Sequence, residues 1–556
     1  MSALTTRKAT TMNRMLPLLA AAAGSLLAAA AQAAAPGITG TGTAGTFNLT
    51  AQPAYISQPD GAAIYSWGYG CRTAPSTSNF VPASLSATVA GNLPVTPFCS
   101  TMQVPGPTLV VTEGQTVTVQ LTNNLPTSAG NTSILFPGFT LTSTCPAANQ
   151  GLLTCEAAPG GGTVTYTFTA SSPGTRAYYS GTQGDLQVEM GLYGAIIVLP
   201  NGAPSNGSCP PHNRAAGLNS AGTLVAGGEL DYRLSPTGAA YHLTQSCYDR
   251  EYLFQFSEID PNIHTQALAQ VTAKGACTAG APGCSLNVPT EPYHPAYFMI
   301  NGRSMPDDMD TNYAAQYRHQ PYNGNPHMHP GELTLLRVVG QGRWQHPFHE
   351  HGNHVRVLAR DGNLIVAGTT GTAATQLAGP LLFTTTTTPG LAMDGIFYWT
   401  GKGLNWDAYG HHPGSADSLA TLSCTPDLNG YNTANLTAVN YYEWCQDHNK
   451  PLQAAPFGDV AGGGPATLPD PNLFTNGAWY GGSPYLGPDA TQRATGPTGT
   501  TPPSGTIANS PTGEAGFAFM WHSHNEREIT TNNIFPGGML MMMLVDSREF
   551  VIDESN

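Results

Sequence analysis

The chain has 556 residues, with 20 basic against 34 acidic side chains, a formal charge of −14 at pH 7, and only 10% of its residues charged. Its few lysines and arginines form no cluster beyond the N-terminus, and a protein that tracks a nucleic-acid backbone needs one, so that class is excluded. Hydrophobic residues at 40% support a packed core rather than disorder. The length predicts two or three domains.

Taken in chain order, residues 1–34 read as an export signal. Arg7, Lys8 and Arg14 precede an apolar run from Met15 to about Ala31, and Ala31-Gln32-Ala33 has the small-x-small form of a cleavage site. The run is short for a membrane span, and no later segment is apolar for long enough to cross. A secreted, periplasmic or cell-surface protein is expected. All ten cysteines (71, 99, 145, 155, 209, 247, 277, 284, 424 and 445) follow the signal, and an even number in an oxidising compartment favours disulfides over metal thiolates. Cys145/Cys155, Cys277/Cys284 and Cys424/Cys445 are neighbours expected to pin loops, although sequence alone does not determine pairing.

From residue 35 onward the hydrophobic period is two. Thr108–Thr122 and Thr163–Thr169 alternate small polar and apolar residues, as half-buried strands do. Gly194–Leu199 reads as a buried closing strand. A second copy opens near Arg250. Glu251–Phe256 and Tyr297–Arg303 are strands, 330–339 parallels 105–121, and 382–390 parallels 166–174. Phe517–Trp521 and Gly538–Val545 close the copy. No segment offers a capped amphipathic helix. The predicted class is all-β, in sandwiches: a first domain over 35–200, a connector over 201–249, and a second domain over 250–556. A Gly-, Pro-, Asn- and Thr-rich insertion at about 403–515 interrupts the second domain.

The histidines concentrate the chemistry. Of 16 in the chain, three groups stand out: His346-Pro-Phe-His349-Glu-His351-Gly352, His522-Ser-His524, and His327-Met-His329. Residues two apart on a strand share a face, so His349/His351 and His522/His524 can each aim two imidazoles at one point. Imidazole is a common ligand for copper and zinc. The quartet is therefore expected to hold one metal ion, copper before zinc. His327 and His329 are weaker candidates for a surface copper site. Glu350, Glu526 and Glu528 are candidates to tune nearby imidazoles or act as ligands. Met541-Met-Met543 is expected in the core.

These motifs resemble the multicopper oxidase family. His346–Gly352 is similar to its His-Pro-x-His-x-His-Gly motif, and Trp521–His524 with Gly538-Met539 is similar to its His-Cys-His motif and downstream Gly-Met. Val104–Thr108, Glu113-Gly114 and Gly191–Gly194 resemble its first domain. The resemblance implies tandem cupredoxin-like Greek-key sandwiches, copper as cofactor, oxidoreductase ancestry, and the two-domain branch, which tends to form trimers. It also places His346 and Met539 among the ligands of the electron-accepting copper.

The departures from that pattern bear on function. Leu135 and Pro137 stand where one further His-x-His belongs, and Tyr179 and Gly181 where another belongs. Ser523 replaces the cysteine thiolate, and Glu528 stands where a histidine is expected. A hydroxyl cannot replace the soft sulfur of a blue copper site. The reading is a degenerate family member that binds copper and has lost four-copper laccase chemistry, with no catalytic residue identified. The alternatives are a mononuclear copper oxidoreductase acting on a small organic substrate or metal ion, and a metal-free structural or surface-assembly protein.

Overall fold

The computed structural model describes residues 35–42, 45–84, 98–210, 230–329, 331–399 and 516–546, plus a few short segments elsewhere. The expected signal, most of the 403–515 insertion and Cys445 lie outside the described residues, as does the side chain of Cys424.

Two β-sandwiches follow one another along the chain. In the N-terminal one, a sheet of Ala63–Cys71, Thr46–Ser57, Thr116–Asn123, Gly162–Thr169 and Leu141–Thr144 faces a sheet of Phe80–Val81, Gly37–Thr39, Leu109–Thr112, Tyr193–Leu199 and Gly174–Tyr179. The Thr-Val-Thr-Val alternation of Thr116–Asn123 sends Val117, Val119 and Leu121 inward, each fully buried. They meet Trp67, Tyr166 and Phe168 in one core.

The C-terminal sandwich repeats the plan. Its first sheet orders Tyr297–Ile300, Arg250–Ile259, Leu333–Gly340, Ala392–Tyr398 and Val355–Arg360. The second orders His327–Met328, Leu540–Asp546, Gly516–Ser523, His346–Glu350 and Thr384–Thr387. Phe254, Phe348, Phe397, Trp521, Met541 and Met543 fill the space between them, so the methionine run is core, as its alternation suggested. The chain therefore has the tandem cupredoxin-like architecture.

Pairing gives the equivalences between copies. Thr46–Ser57 runs parallel to Thr116–Asn123, as Arg250–Ile259 does to Leu333–Gly340. Gly174–Tyr179 lies antiparallel to Tyr193–Leu199, as Gly516–Ser523 does to Leu540–Asp546. By this topology the counterpart of Gly162–Thr169 is Ala392–Tyr398. The expected match of 382–390 with 166–174 is thus corrected: Thr384–Thr387 is an edge strand beside His346–Glu350. A threonine run carries no inward–outward contrast from which its partner could be read.

The expectation of no capped helix is also corrected. Pro261–Lys274 is helical, with Asp260 at its N-cap accepting from the Asn262 amide and proline in the first turn. Its buried Ile263 and Ala267 join the core of the N-terminal sandwich. Among the described residues, no helix is long and apolar enough to cross a membrane.

Among the described residues four disulfides are formed: Cys71–Cys99, Cys145–Cys155, Cys209–Cys247 and Cys277–Cys284. Two are the expected loop pins, and the other two close longer loops that spacing did not reveal. No described cysteine is free. Thiol titration of the denatured, unreduced protein should find essentially no reactive sulfhydryl, and two or more per chain would contradict the oxidised reading.

Candidate metal centre

His346–Glu350 and Gly516–Ser523 are adjacent antiparallel strands, and His349 stands directly opposite His522. Side-chain alternation then puts His349, His351, His522 and His524 on one face. Ring centroids are 4.7 Å apart for His349/His351, 4.8 Å for His349/His524, 5.1 Å for His351/His522 and 5.5 Å for His522/His524. The four predicted residues do come together. His349 is buried, His522 nearly so, His351 half-buried and His524 exposed.

Hydrogen bonds orient the rings. His522 Nδ1 lies 2.7 Å from the Ser523 carbonyl, so Nδ1 carries the hydrogen and Nε2 keeps the lone pair. His351 Nε2 is 3.1 Å from that atom and donates to it. His349 Nδ1 lies 2.6 Å from Thr384 Oγ1. Burial, with His522 and His524 close by, pushes the His349 imidazole down to about 4. Burial also lowers His522. These two rings are therefore neutral at pH 7, the state a metal requires.

As the side chains stand, the cluster packs ring against ring, and among the described residues no three His, Cys, Asp or Glu donors converge on one point. The His351 and His522 Nε2 atoms, 3.1 Å apart, would both have to give up their mutual hydrogen bond and turn a lone pair to a bound metal. The donor chemistry, four imidazoles on one sheet face, fits copper.

The corresponding face of the N-terminal sandwich is different. Leu135 bridges Tyr179 there, in the same relation that His349 has to His522. The space a Cβ would need at Gly181 is already taken by the Leu135 side chain, whose Cγ lies 2.7 Å from that position. Leu135 and Gly181 are thus a large–small packing pair where imidazoles would otherwise meet. Burial raises the Tyr179 phenol, so it is protonated and a poor ligand. Pro137 supplies no donor.

The position that the resemblance assigns to an electron-accepting copper is filled by protein atoms. His346 Nδ1 lies 2.9 Å from Glu528 Oε2, and Nε2 lies 2.9 Å from Glu258 Oε2, all three side chains being buried. Ser523 Oγ donates to the same Glu528 oxygen, whose other oxygen accepts from Asn525 at 2.9 Å. With a carboxylate at each nitrogen, both must carry hydrogen, and the ring is an imidazolium. Burial opposes that charge, but the two carboxylates outweigh it and lift His346 to about 9. His346 as a metal ligand is therefore corrected: neither nitrogen is open to a metal. Met539 is fully buried in the core of the C-terminal sandwich.

The other candidates also find structural roles. His327 Nδ1 pairs with Asp546 at 2.7 Å, and His329 Nδ1 with Glu332 at 3.1 Å beside Arg250. Both are buried, which removes the surface copper site. Glu350 faces the core rather than the quartet, accepts from Thr385 at 2.7 Å, and is pushed up to about 8 by burial. Glu526 is exposed. Glu258 was not legible as a site residue, since it lies on another sheet far upstream, in a strand that reads only as core.

Two packed sandwiches bearing a cluster of imidazoles on a sheet face define a cupredoxin-type protein. The sequence model of the multicopper oxidase family matches residues 87–203. An L-ascorbate oxidase of Brassica rapa subsp. pekinensis is 39% identical over 97 residues, 17% of this chain and 16% of that enzyme. The match thus spans about a sixth of that relative. Among solved structures, the blue copper oxidase of Nitrosomonas europaea aligns with a TM-score of 0.41 and 14% identity over 91% of this chain and 85% of its own. The copper nitrite reductase of the same organism aligns with a TM-score of 0.35 and 17% identity over 64% and 84%.

Proposed function

We propose that this is an exported copper-binding protein of multicopper oxidase descent, in which His349, His351, His522 and His524 hold one copper ion and four-copper laccase chemistry is lost. The observation that carries the reading is the gathering of four imidazoles on one sheet face, with His351 and His522 nitrogens 3.1 Å apart. Export is supported by the basic-then-apolar N-terminus and by the four disulfides.

Calorimetric titration of the full chain with copper should give one site per chain, with an electron paramagnetic resonance signal of nitrogen ligation. Replacing His349 and His524 together by Ala should abolish stoichiometric binding, whereas replacing His327 should leave it intact. Because binding requires neutral imidazoles, and burial lowers His349 to about 4 and lowers His522 as well, affinity should weaken progressively with acid and be lost well below pH 6. Unchanged binding by the double Ala variant would sink the proposal and leave the cluster as a metal-free, self-bonded imidazole patch. Copper-dependent oxygen uptake at the quartet would instead identify a mononuclear oxidoreductase.

A further inference from the structure

A second concavity lies away from the quartet, at the seam between the sandwiches. It is a cleft of about 370 Å³ whose lining includes Arg72, Thr101, Arg318 and His319, with the Cys71–Cys99 disulfide in its wall. Arg72 follows a strand of the N-terminal sandwich, and Arg318 follows a short turn, Ala315–Tyr317, between the strands Tyr297–Ile300 and His327–Met328 of the C-terminal one. Among the described residues lining the cleft, none is acidic. In a chain with 20 basic against 34 acidic side chains, two guanidinium groups and an imidazole in one concavity stand out against the general charge.

The side chains are disposed to face a ligand. Both arginines are exposed. Arg72 makes one long hydrogen bond, 3.5 Å, to Gln120. Arg318 has no ion pair among the described residues. His319 Nδ1 lies 2.7 Å from the Met102 carbonyl, which fixes its ring in the cleft wall. Two guanidinium groups lining one cleft favour a counter-charge between them. Guanidinium forks match the oxygen pairs of carboxylates and phosphates. The volume falls within the range of roughly 300–1,000 Å³ typical of small-molecule sites, more than a bare inorganic anion needs.

We propose that this cleft binds a small organic polyanion, a polycarboxylate or a phosphate ester, clamped between Arg72 of one sandwich and Arg318 of the other. Binding across the seam ties the two sandwiches together and raises the thermal midpoint by mass action.

The test is calorimetric titration of the full chain with citrate in one arm and glucose 6-phosphate in the other, at low ionic strength. At least one should bind with unit stoichiometry, weaken with added salt and raise the melting temperature. Arg72→Gln and Arg318→Gln should each weaken binding about tenfold, and the double variant about a hundredfold, as expected for lost charge-assisted hydrogen bonds. Both positions are exposed, so the variants should melt like the parent without ligand. The arm that responds identifies the ligand class. Saturable binding in neither arm, an undiminished double variant, or a loss from only one of the two arginines would overturn the proposal. The His349→Ala/His524→Ala variant should bind the anion normally, which keeps this site separate from the quartet.

Discussion

Replacing His346 by Leu should destabilise the protein by about 3–5 kcal/mol, the usual cost of stranding a buried charge. Two carboxylates, Glu258 and Glu528, would be left in the core without the cation that both now contact at 2.9 Å. The check is denaturant unfolding of the full chain at pH 7. A loss below about 1 kcal/mol would mean that the triad is not an ionic unit. Adding Glu258→Gln and Glu528→Gln to His346→Leu should recover much of the loss, because the stranded charges are removed along with their partner. The pH dependence has a definite sign. With His346 lifted from 6.5 to about 9, its contribution is complete below pH 6.5 and is lost as pH rises through about 9. His349, lowered to about 4, acts oppositely: the folded state resists its protonation, so stability drops as pH falls below 6.5 toward 4. The alkaline arm of the parent's melting profile should flatten in the His346→Leu/Glu258→Gln/Glu528→Gln variant.

Laccase-type turnover, meaning phenol oxidation coupled to four-electron reduction of oxygen, should be undetectable in copper-loaded protein. Ser523→Cys alone should restore neither blue colour nor activity. The thiolate would arrive beside Glu528 Oε2, which already occupies the space between residue 523 and His346 Nδ1. A carboxylate locked to an imidazolium offers a metal no vacancy, and a second anion there would raise the electrostatic cost further. Oxygen reduction should fail independently on the N-terminal face, where Leu135 fills the space at Gly181. Visible spectra and oxygen consumption of parent and variant decide the matter. An intense blue band in Ser523→Cys would show that Glu528 yields to copper, and phenol turnover at ordinary laccase rates would refute the loss of function.

Much of this architecture was legible because strands write their burial at every second residue. Val117, Val119 and Leu121 announce one core face, and His-x-His pairs announce two imidazoles on one side. The register that sets His349 opposite His522 follows once the strands are adjacent. What stayed hidden obeys other rules. The Pro261–Lys274 helix has only a narrow apolar stripe, so its signal lay in its cap, Asp260-Pro261, rather than in its periodicity. Thr384–Thr387 has no polar–apolar contrast to set its place. The fate of His346 depended on Glu258, a residue of a different sheet, and no local pattern carries a contact of that range. His327 and His329 look like a ligand pair in sequence, yet each is claimed by its own carboxylate.

The Pro261–Lys274 helix has a mechanical consequence. It leaves a strand of the C-terminal sandwich and buries Ile263 and Ala267 in the core of the other, while Thr175 of the N-terminal sandwich bonds Asp394 of the C-terminal one at 2.6 Å. Neither half can melt without opening the other's interior to water. Calorimetry should therefore record one concerted transition rather than two, and either half expressed alone should be aggregation-prone. Across such a shared core, disturbance in one sandwich reaches the other as lost stability, without any messenger passing between them.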